Sequence, residues 1–374
     1  MWGPCLATIF YIGRALLSKH FFLLCFKVLL PLWSFAIPSL RPAKRRSSCR
    51  TIKLLLLRYL AARLRHRDPA AIRYLNMGLG IEYRARRLAP FWAEHLARTR
   101  AAQARWAATA TGEWLTVLGA GRLLDFNGPA LLPRFAHLRL VDADPLCLPY
   151  WKKLKKLSDA ICLDISACLD DWIAELRKTP ANWHDMLQTI RSYGDRPQQA
   201  YSASSDALLS LNVLSQLPIV WQDGVEAMLL RGYGKRFVET REEEWLDALR
   251  PGAQALVEQH LTAIEASTPR FVLVITDVDY LEYKGKSYRR DQRVPPPVTW
   301  SPEGWCAEQG ITCKVSPALE RVDLSAATFQ KWMPSYRLTW QECWLWHISP
   351  LGTEKNESGK VHRVGAFALE RLCQ

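Results

Sequence analysis

The chain has 374 residues, of which 49% are hydrophobic, 23% charged and 11% aromatic. These proportions exclude an intrinsically disordered protein, because enough apolar side chains are present to bury a core. The length predicts one large or two ordinary domains. The net charge of +14 is concentrated: residues 1–110 hold 20 Lys or Arg and three acids, a net +17, so residues 111–374 sum to about −3. The basic character therefore belongs to the N-terminal third.

The ten cysteines have no Cys-x-x-Cys spacing, and no Cys/His grouping has the spacing of a zinc site. Several fall within apolar strand patterns, where a thiol behaves as a small hydrophobic side chain. The sequence therefore predicts a reducing compartment, no structural disulfide and no metal site. His184, His260 and His347 have no spacing that indicates a catalytic set.

Residues 1–45 combine an apolar segment with a basic end. Residues 21–40 contain one charge, Lys27, and two prolines, and residues 44–46 (KRR) follow. Twenty such residues are long enough to span a bilayer, and the basic cluster would place the following domain on the cytoplasmic side. We expect either a membrane anchor or a segment translated from a wrongly assigned start. The expected location is cytoplasmic, at the inner face of the membrane if the anchor is present.

Residues 46–110 have helical periodicity and many arginines. Leucines recur at helical spacing over residues 54–64, and Asp68 followed by Pro69 is a helix start. Gly78 and Gly80 predict a break, after which a long amphipathic helix is expected. We predict a basic helical cap that leads into the first strand. Such a surface could bind RNA or anionic lipid, but no RNA-binding module is recognisable, so a nucleic-acid partner is not favoured.

Residues 117–125 (VLGAGRLLD) predict a short strand that runs into a glycine turn, and residues 138–145 (LRLVDADP) predict a strand that ends in an acid. Asp142 lies 21 positions after Gly121, close to the roughly 20 of a nucleotide-binding β-α-β unit. Small residues would let backbone N–H groups approach a ligand, and a helix N-terminus is expected to follow. The acid can accept hydrogen bonds from ribose hydroxyls. The spacing predicts an adenosine-containing cofactor.

The glycine pattern also discriminates between cofactors. Leu124 stands where a dinucleotide fingerprint has its third glycine, which disfavours a pyrophosphate site. The hydrophobic-Gly-Ala-Gly pattern instead resembles motif I of class I S-adenosylmethionine-dependent methyltransferases. Two positions depart from that motif. Val117 stands where many members carry an acid, and Leu123 stands where many carry a third glycine.

Later segments extend the resemblance over roughly residues 111–372. β-type runs alternate with helical segments, and a hairpin-like pair closes the chain; the runs are residues 159–164, 205–215, 271–277, 343–348 and 361–369. The resemblance implies an α/β, Rossmann-like methyltransferase fold: a mostly parallel seven-stranded sheet with a C-terminal antiparallel hairpin, preceded by an N-terminal helical cap. The predicted boundaries are 1–45 for the hydrophobic and basic segment, 46–110 for the cap and 111–374 for the cofactor-binding domain.

The resemblance implies S-adenosylmethionine as cofactor and suggests site residues by position. By family position, Asp164 would contact the adenine amino group, and Arg84 or Arg87 of the cap would contact the methionine carboxylate. Methyl transfer can proceed by positioning the acceptor in line with the sulfonium, so no catalytic residue is assigned. The matching cofactor-binding positions are Gly119, Ala120, Gly121, Asp142, Ala143, Asp164 and Asn212.

Three functions remain open at this point. The resemblance favours an enzyme that transfers a methyl group from S-adenosylmethionine to an unidentified acceptor. A catalytically inactive methyltransferase-like binding module at a membrane is the second, because motif I is incomplete. An NAD(P)-dependent oxidoreductase is the third. The many aromatic residues between 280 and 346 would line an acceptor pocket or form the core of an inserted segment.

Overall fold

The computed structural model describes residues 69–154, 156–166, 168–178, 182–195, 204–284, 312–315, 326–350, 353 and 359–372. The chain divides into two compact units, Met1–Arg65 and His66–Gln374, and all described residues belong to the second. Segment 1–45 and the helix predicted over residues 54–64 therefore lie outside the described residues, and the membrane anchor stays a prediction. None of the described helices is long and apolar enough to cross a membrane.

The strands form one sheet in the order β3-β2-β1-β4-β5-β8-β7, with β6 paired to β5. Strands β1 to β5 pair in parallel, and β8 pairs antiparallel to both β5 and β7. This confirms the α/β fold with a C-terminal antiparallel hairpin; β6 is an additional strand that was not predicted. The strands are β1 Gly112–Leu118, β2 Phe135–Asp142, β3 Leu157–Cys162, β4 Ala207–Leu211, β5 Phe271–Lys284, β6 Thr312–Val315, β7 Tyr336–Ser349 and β8 Gly359–Arg371.

Helices cover both faces of the sheet. The described helices are α1 Pro69–Arg87, α2 Ala89–Ala107, α3 Gly128–Leu131, α4 Leu148–Trp151, α5 Leu169–Leu176, α6 Trp183–Ser192, α7 Val213–Tyr233, α8 Lys235–Glu239, α9 Glu242–Ser267 and α10 Ala326–Trp332. One apolar cluster joins the sheet to α5, α6, α7, α9 and α10. A second cluster joins the opposite face to α2, α3 and α4.

Strand composition explains this layering. β4 (ALLSL) is buried at every position, as a parallel strand covered on both faces must be. In β5, Val272 and Val274 belong to one cluster, whereas Leu273 and Ile275 belong to the other, because successive side chains of a strand point to opposite faces. The continuous apolar run from residue 271 thus contributes to both cores at once.

Strand β5 continues well past the end of its parallel neighbour. Residues 271–275 pair with β4, whereas residues 281–284 pair with β6 on that same side, and β8 accompanies β5 along nearly its whole length. The extension beyond residue 275 is roughly 30 Å long at about 3.3 Å per residue. An antiparallel ribbon therefore rises above the carboxyl edge of the parallel strands, where ligands bind in open α/β sheets.

The helical cap differs from its prediction. The break expected at Gly78 and Gly80 is wrong, because α1 passes through both residues. The chain instead breaks at Leu88, where Pro90 stands in the first turn of α2. A Cβ on Gly78 would lie 1.8 Å from Oδ2 of Asp144, so this glycine lets α1 approach the loop that follows β2. The glycine marks a close contact between elements.

A buried polar contact also joins β4 to α9. Oγ of Ser210 lies 3.0 Å from Nε2 of His260, and both side chains are buried. Burial lowers the pKa of His260 from 6.5 to about 4. The imidazole is therefore neutral in the folded protein at neutral pH, and the unfolded chain is protonated first when the solution is acidified.

Gly78→Ala and Gly80→Ala should change stability in opposite directions. Nothing lies within 4 Å of a Cβ on Gly80, so alanine there should raise the free energy of unfolding by about 0.5–1 kcal/mol through its higher helix propensity. Alanine at Gly78 meets Asp144 and should lower it by about 1–3 kcal/mol. Urea unfolding of the two variants measures the difference, and equal effects would contradict the close contact between α1 and the β2 loop.

His260 should make stability sensitive to acid. Its pKa in the fold, about 4, lies below the unfolded value of 6.5, so its contribution is complete above pH 6.5 and is lost as the pH falls towards 4. Relative to His260→Gln, the parent's free energy of unfolding should fall by up to about 1.4 kcal/mol per pH unit across that window. Parallel stability curves for the two proteins between pH 7 and 4 would show that the ring is accessible to protons in the folded state.

Candidate functional site

The glycine turn after β1 is held by hydrogen bonds to β2. The backbone N–H groups of Gly119 and Ala120 donate to the carbonyl of Val141 at 2.9 and 3.2 Å, and that of Gly121 donates to Oδ2 of Asp142 at 2.8 Å. The expectation that these N–H groups face a ligand is therefore wrong. They serve to fasten the turn to the neighbouring strand.

Glycine is needed in this turn for space and for backbone conformation. Gly119 has φ +71°, and a Cβ on it would lie 2.3 Å from the carbonyl oxygen of Leu211 at the tip of β4. Gly121 has φ +49°, a conformation that glycine adopts at little cost. Gly119 therefore lets the turn pack against the tip of β4 at the carboxyl edge of the sheet.

No helix begins directly after the turn. Residues 121–127 are irregular, and α3, which follows, has a single turn. The predicted helix N-terminus beside the glycines is therefore wrong. Leu123 explains the break, because its φ of +60° lies in the left-handed region, which no α-helix can continue. It stands where related motifs have a third glycine, and it packs partly buried against the second apolar cluster.

Asp142 organises the loops that follow β1 and β2. Its Oδ2 accepts from Gly121, and its Oδ1 accepts from the N–H of Asp144 at 2.8 Å. Burial raises the pKa of Asp142, although the backbone donors and the charge of Arg122 oppose the increase. Each carboxylate oxygen can accept more than one hydrogen bond, so the group can hold the turn and still receive a hydroxyl.

The cap contacts this site through a different arginine from those expected. Arg122 is buried, forms an ion pair with Glu82 of α1 and has a guanidinium nitrogen 3.6 Å from Oδ2 of Asp144. Burial raises the pKa of Asp144 to about 6 against the opposing effects of Leu146 N–H and Arg122. Arg87 is exposed, with its guanidinium 6.0 Å from the Tyr83 ring. The predicted contact of Arg84 or Arg87 with a methionine carboxylate stays a prediction.

Asn212 stands at the tip of β4, beside the Gly119–Gly121 turn. Its φ is +54°, its N–H donates to the carbonyl of Ile275 at 2.7 Å, and its Nδ2 donates to Oδ2 of Asp125 at 3.3 Å. Its Oδ1 is buried and has no hydrogen-bond partner among the described residues. Burial raises the pKa of Asp125 to about 6. The edge therefore keeps one acceptor atom available to a donor.

Asp164 and Ala143 lie farther along the same edge. Oδ1 of Asp164, two residues past β3, accepts from both the N–H and the hydroxyl of Ser166, at 3.0 and 2.9 Å. The carbonyl of Ala143 lies 3.7 Å from Sγ of Cys162. These contacts fix both loops at the carboxyl ends of β2 and β3, and the adenine contact of Asp164 stays a prediction.

A buried polar cluster occupies the base of the β5–β8 ribbon. Nδ1 of His362 lies 3.0 Å from Oδ2 of Asp277, and the hydroxyl of Ser215 in the first turn of α7 donates to that oxygen at 3.4 Å. His95 of α2 stacks on Trp346, with ring centroids 4.2 Å apart. Two imidazoles and a carboxylate thus meet one strand away from Asn212.

The electrostatics of the cluster favour a neutral His95 and an ionised Asp277. Burial lowers the pKa of His95 to about 3, and its Nδ1 accepts a hydrogen bond from the indole N–H of Trp344 at 3.0 Å. Burial alone would raise the pKa of Asp277, but the charge and hydrogen bond of His362 and the Ser215 hydroxyl outweigh it and lower the pKa. His362 lies close to this carboxylate, with its Nδ1 3.0 Å from Oδ2 of Asp277.

Sequence reasoning overlooked Asp277, His362 and His95. Asp277 closes the predicted fifth strand, and His362 begins the predicted last strand. The sequence did contain a signal for this pair: an acid at the end of one predicted strand and a histidine at the start of another, in strands that are neighbours in this fold. Only the observed register, with Tyr280 opposite His362 and Asp277 opposite Val364, brings the two side chains together. In the described part of the chain, no group of three or more His, Cys, Asp or Glu has a metal-binding arrangement.

No protein-family model and no curated protein matches the chain. Solved structures with a similar fold include the N-methyltransferase NodS from Bradyrhizobium japonicum with S-adenosyl-L-homocysteine (9% identity, 75% of this chain and 88% of that chain, TM-score 0.32). Another is an S-adenosylmethionine-dependent methyltransferase from Clostridium acetobutylicum (8% identity, 76% of this chain and 91% of that chain, TM-score 0.29). A third is the DhpI–SAM–HEP complex (11% identity, 80% of this chain and 98% of that chain, TM-score 0.28). The fold assignment rests on the strand order of the sheet itself.

Asp142→Asn should destabilise the fold even without a ligand. The amide has one oxygen in place of two, so either Gly121 or Asp144 loses its acceptor, at a cost of about 1–3 kcal/mol. Asp159→Asn is the matched control, because Asp159 is 41% exposed and bonds only the side chain of Arg139 among its recorded contacts; its loss should cost about 1 kcal/mol or less. Urea unfolding separates the two, and an equal loss would mean that Asp142 does not organise the loops.

Proposed function

We propose that the chain is an S-adenosylmethionine-dependent methyltransferase whose methyl acceptor is a molecule yet to be identified. The carrying observation is the carboxyl edge of the sheet, where the Gly119–Gly121 turn lies beside Asp142 on one side and Asn212 on the other. The strand order places this edge at the point where ligands bind in α/β sheets. The proposed cofactor-binding residues are the ones predicted from the sequence, but the backbone N–H groups of the turn bond to β2 and are not proposed to bind the cofactor.

The residues of the edge fit an adenosyl ligand. A Cβ on Gly119 would collide with the Leu211 carbonyl, so glycine there keeps the turn packed against the tip of β4. Asp142 is positioned by two backbone donors and retains acceptor capacity for ribose hydroxyls. The buried Oδ1 of Asn212 supplies a further acceptor. The glycines therefore act by fixing the turn, and the polar recognition falls to side chains.

The same geometry argues against a dinucleotide. A pyrophosphate is bound by backbone N–H groups and by the N-terminus of the helix that follows the glycine turn. Here the N–H groups of residues 119–121 bond to β2, and residues 121–127 are irregular. A sulfonium cofactor needs neither feature, since it carries no phosphate. An oxidoreductase acting through NAD(P) is therefore the weaker alternative.

When bound, the cofactor would supply an electrophilic methyl group on a positively charged sulfur. The chain's part is to orient it and to exclude water. The carboxylates of Asp125 and Asp142 lie at this edge and, when ionised, would favour a cation there, whereas that of Asp144 lies against Arg122. The ribbon of β5 and β8 provides a wall beside the same edge for an acceptor. Rate enhancement would come mainly from holding the two reactants in line.

Calorimetric titration of the full chain with S-adenosylhomocysteine, and separately with NADH, tests this function. We expect a dissociation constant on the order of micromolar for the first and no binding of the second. Gly119→Ala should weaken S-adenosylhomocysteine about tenfold or more, because the methyl group meets Leu211 and φ is positive. Gly128→Ala is the control, since a Cβ there makes only ordinary contacts from 3.5 Å. Binding of NADH alone, or of neither ligand, would overturn the proposal.

A second experiment distinguishes an active enzyme from a protein that binds the cofactor but transfers no methyl group. Tritiated S-adenosylmethionine incubated with the chain and a cellular extract should label an acceptor if the protein is an enzyme. Binding of S-adenosylhomocysteine without any labelling across protein, lipid, RNA and small-molecule fractions would favour the catalytically inactive binding module.

A further inference from the structure

The buried cluster at the base of the β5–β8 ribbon lies next to the proposed cofactor edge. Asn212 at the tip of β4 bonds to Ile275, two residues before Asp277. Ser215 follows Asn212 in the first turn of α7 and bonds both Thr276, through its N–H at 3.1 Å, and Asp277. The tip of β4 and the cluster are therefore joined by direct hydrogen bonds.

We propose that His362 is the general base of the methyl transfer and that Asp277 positions its imidazole, so that the acceptor is a molecule whose nucleophile carries a proton, a hydroxyl or an ammonium. This inference rests on the function proposed above. It adds the residue that removes the proton and the chemical class of the acceptor.

Both ring nitrogens of His362 are buried, and neither makes a well-aligned hydrogen bond to a described residue. Nδ1 lies 3.0 Å from Oδ2 of Asp277, so the carboxylate is on that side of the ring. Nε2 has no hydrogen-bond partner among the described residues. A buried polar nitrogen without a partner is costly, because it loses its water and gains nothing in return. A base that awaits a substrate proton accounts for that atom: its partner arrives with the acceptor.

Groups from each neighbouring element define the environment of the ring. From β5, the Tyr280 ring lies 5.6 Å from the imidazole centroid. From β7, the Trp346 indole lies 5.7 Å away, edge to face. From α2, His95 is close enough to interact electrostatically with both His362 and Asp277, but it is neutral, since its Nδ1 accepts from Trp344. Asp277 is thus the ionised group that can balance an imidazolium here.

The neighbouring charges are already paired. The adjacent Arg363 pairs with Asp279, and Lys360 lies with its ammonium 3.7 Å from the centroid of the Tyr280 ring. These contacts engage the two cations of β8 that are nearest to His362 in sequence. The proton taken up at His362 is therefore stabilised chiefly by Asp277, in the arrangement of a base oriented by a third group.

The balance of the step follows from this arrangement. The acceptor's proton moves to Nε2 of His362, which becomes an imidazolium beside the Asp277 carboxylate. For an ammonium this transfer comes first and frees the nitrogen lone pair; for a hydroxyl it accompanies attack by an oxygen lone pair. That lone pair would form the bond to the methyl carbon, while the methyl–sulfur bond breaks and its electron pair remains on sulfur. A carboxylate acceptor carries no proton at neutral pH and would leave this apparatus without a purpose.

Asn212 contributes a second acceptor atom, at the tip of β4. Its Oδ1 is buried and has no partner among the described residues, as is the case for Nε2 of His362 on the strand paired to β5. Either atom can accept a hydrogen bond from a nucleophile that arrives with a hydrogen.

Sinefungin tests the assignment without knowledge of the acceptor. In this cofactor analogue, a carbon bearing an ammonium group replaces the methyl-bearing sulfonium, so its N–H donors occupy the position of the transferred methyl. Calorimetry on the full chain should show sinefungin binding about tenfold tighter than S-adenosylhomocysteine. His362→Phe should abolish that preference and leave S-adenosylhomocysteine affinity within about twofold. His362→Gln, which retains an acceptor oxygen, should keep part of it.

His137→Gln is the matched control. His137 lies near the beginning of β2, away from the carboxyl edge, with its Nδ1 3.1 Å from the Ser158 hydroxyl. This variant should bind both ligands as the parent does. If the parent binds S-adenosylhomocysteine but His362→Phe retains the full preference for sinefungin, the assignment of His362 is overturned. If the parent binds neither ligand, the failure belongs to the proposed function.

Nitrogen NMR of the histidine rings provides a second readout on the parent and does not depend on the folding of His362→Phe. Sinefungin should shift the Nε2 resonance of His362 and leave that of His260, on the opposite face of the sheet, unchanged. Asp277→Asn should alter the Nδ1 resonance of His362, as a positioning carboxylate requires. Sinefungin binding that leaves His362 unshifted would overturn the proposal.

Discussion

The burial of carboxylates at the carboxyl edge of the sheet is the constraint on which the rest of the site depends. Removing an ionised carboxylate from water is costly unless donors or cations replace the lost hydration. Asp142 is therefore held by two backbone N–H groups, Asp144 lies against Arg122, and Asp277 against His362. Except for the local bond between Asp142 and the N–H of Asp144, each of these contacts joins segments that are distant along the chain. The same requirement that stabilises the carboxylates thereby assembles the loops, the cap and the ribbon around one edge.

The cap helices show how this constraint reaches beyond the sheet. Helix α1 brings Glu82 to Arg122 and places the bare backbone of Gly78 against Asp144. Helix α2 brings His95 against Trp344 and Trp346 of the hairpin. In the proposed function, α1 would lie over the cofactor end of the edge and α2 over the acceptor end. A cap held at both ends would help to exclude water from the space between them, which would strengthen electrostatic interactions there.

The long β5 strand connects the fold to the proposed chemistry. Its first half is a parallel strand of the core, and its second half is paired with β6 and β8 and would form the wall of the proposed acceptor site. Asp277 lies at the change between the two halves, and a bulge follows directly between residues 277 and 279. Bulges commonly redirect a side chain beside an active site. Here the irregularity brings a carboxylate from the sheet into contact with a histidine of the last strand.

The sequence by itself determined the fold class, because alternating apolar runs and helical periodicity report local burial, and it placed Gly119, Gly121 and Asp142 in one site through their spacing. It misjudged what those residues do. The backbone N–H groups of the glycine turn, which were expected to face a ligand, instead donate hydrogen bonds to β2. Gly78, which was expected to break a helix, instead allows α1 to approach Asp144. Both differences arise because hydrogen bonds and steric clearance depend on partners that are remote in the chain. The pairing of Asp277 with His362 was decided by the register of β5 against β8, which no local pattern encodes. Local sequence thus specified which strands exist, and tertiary packing decided which polar atoms meet at their ends.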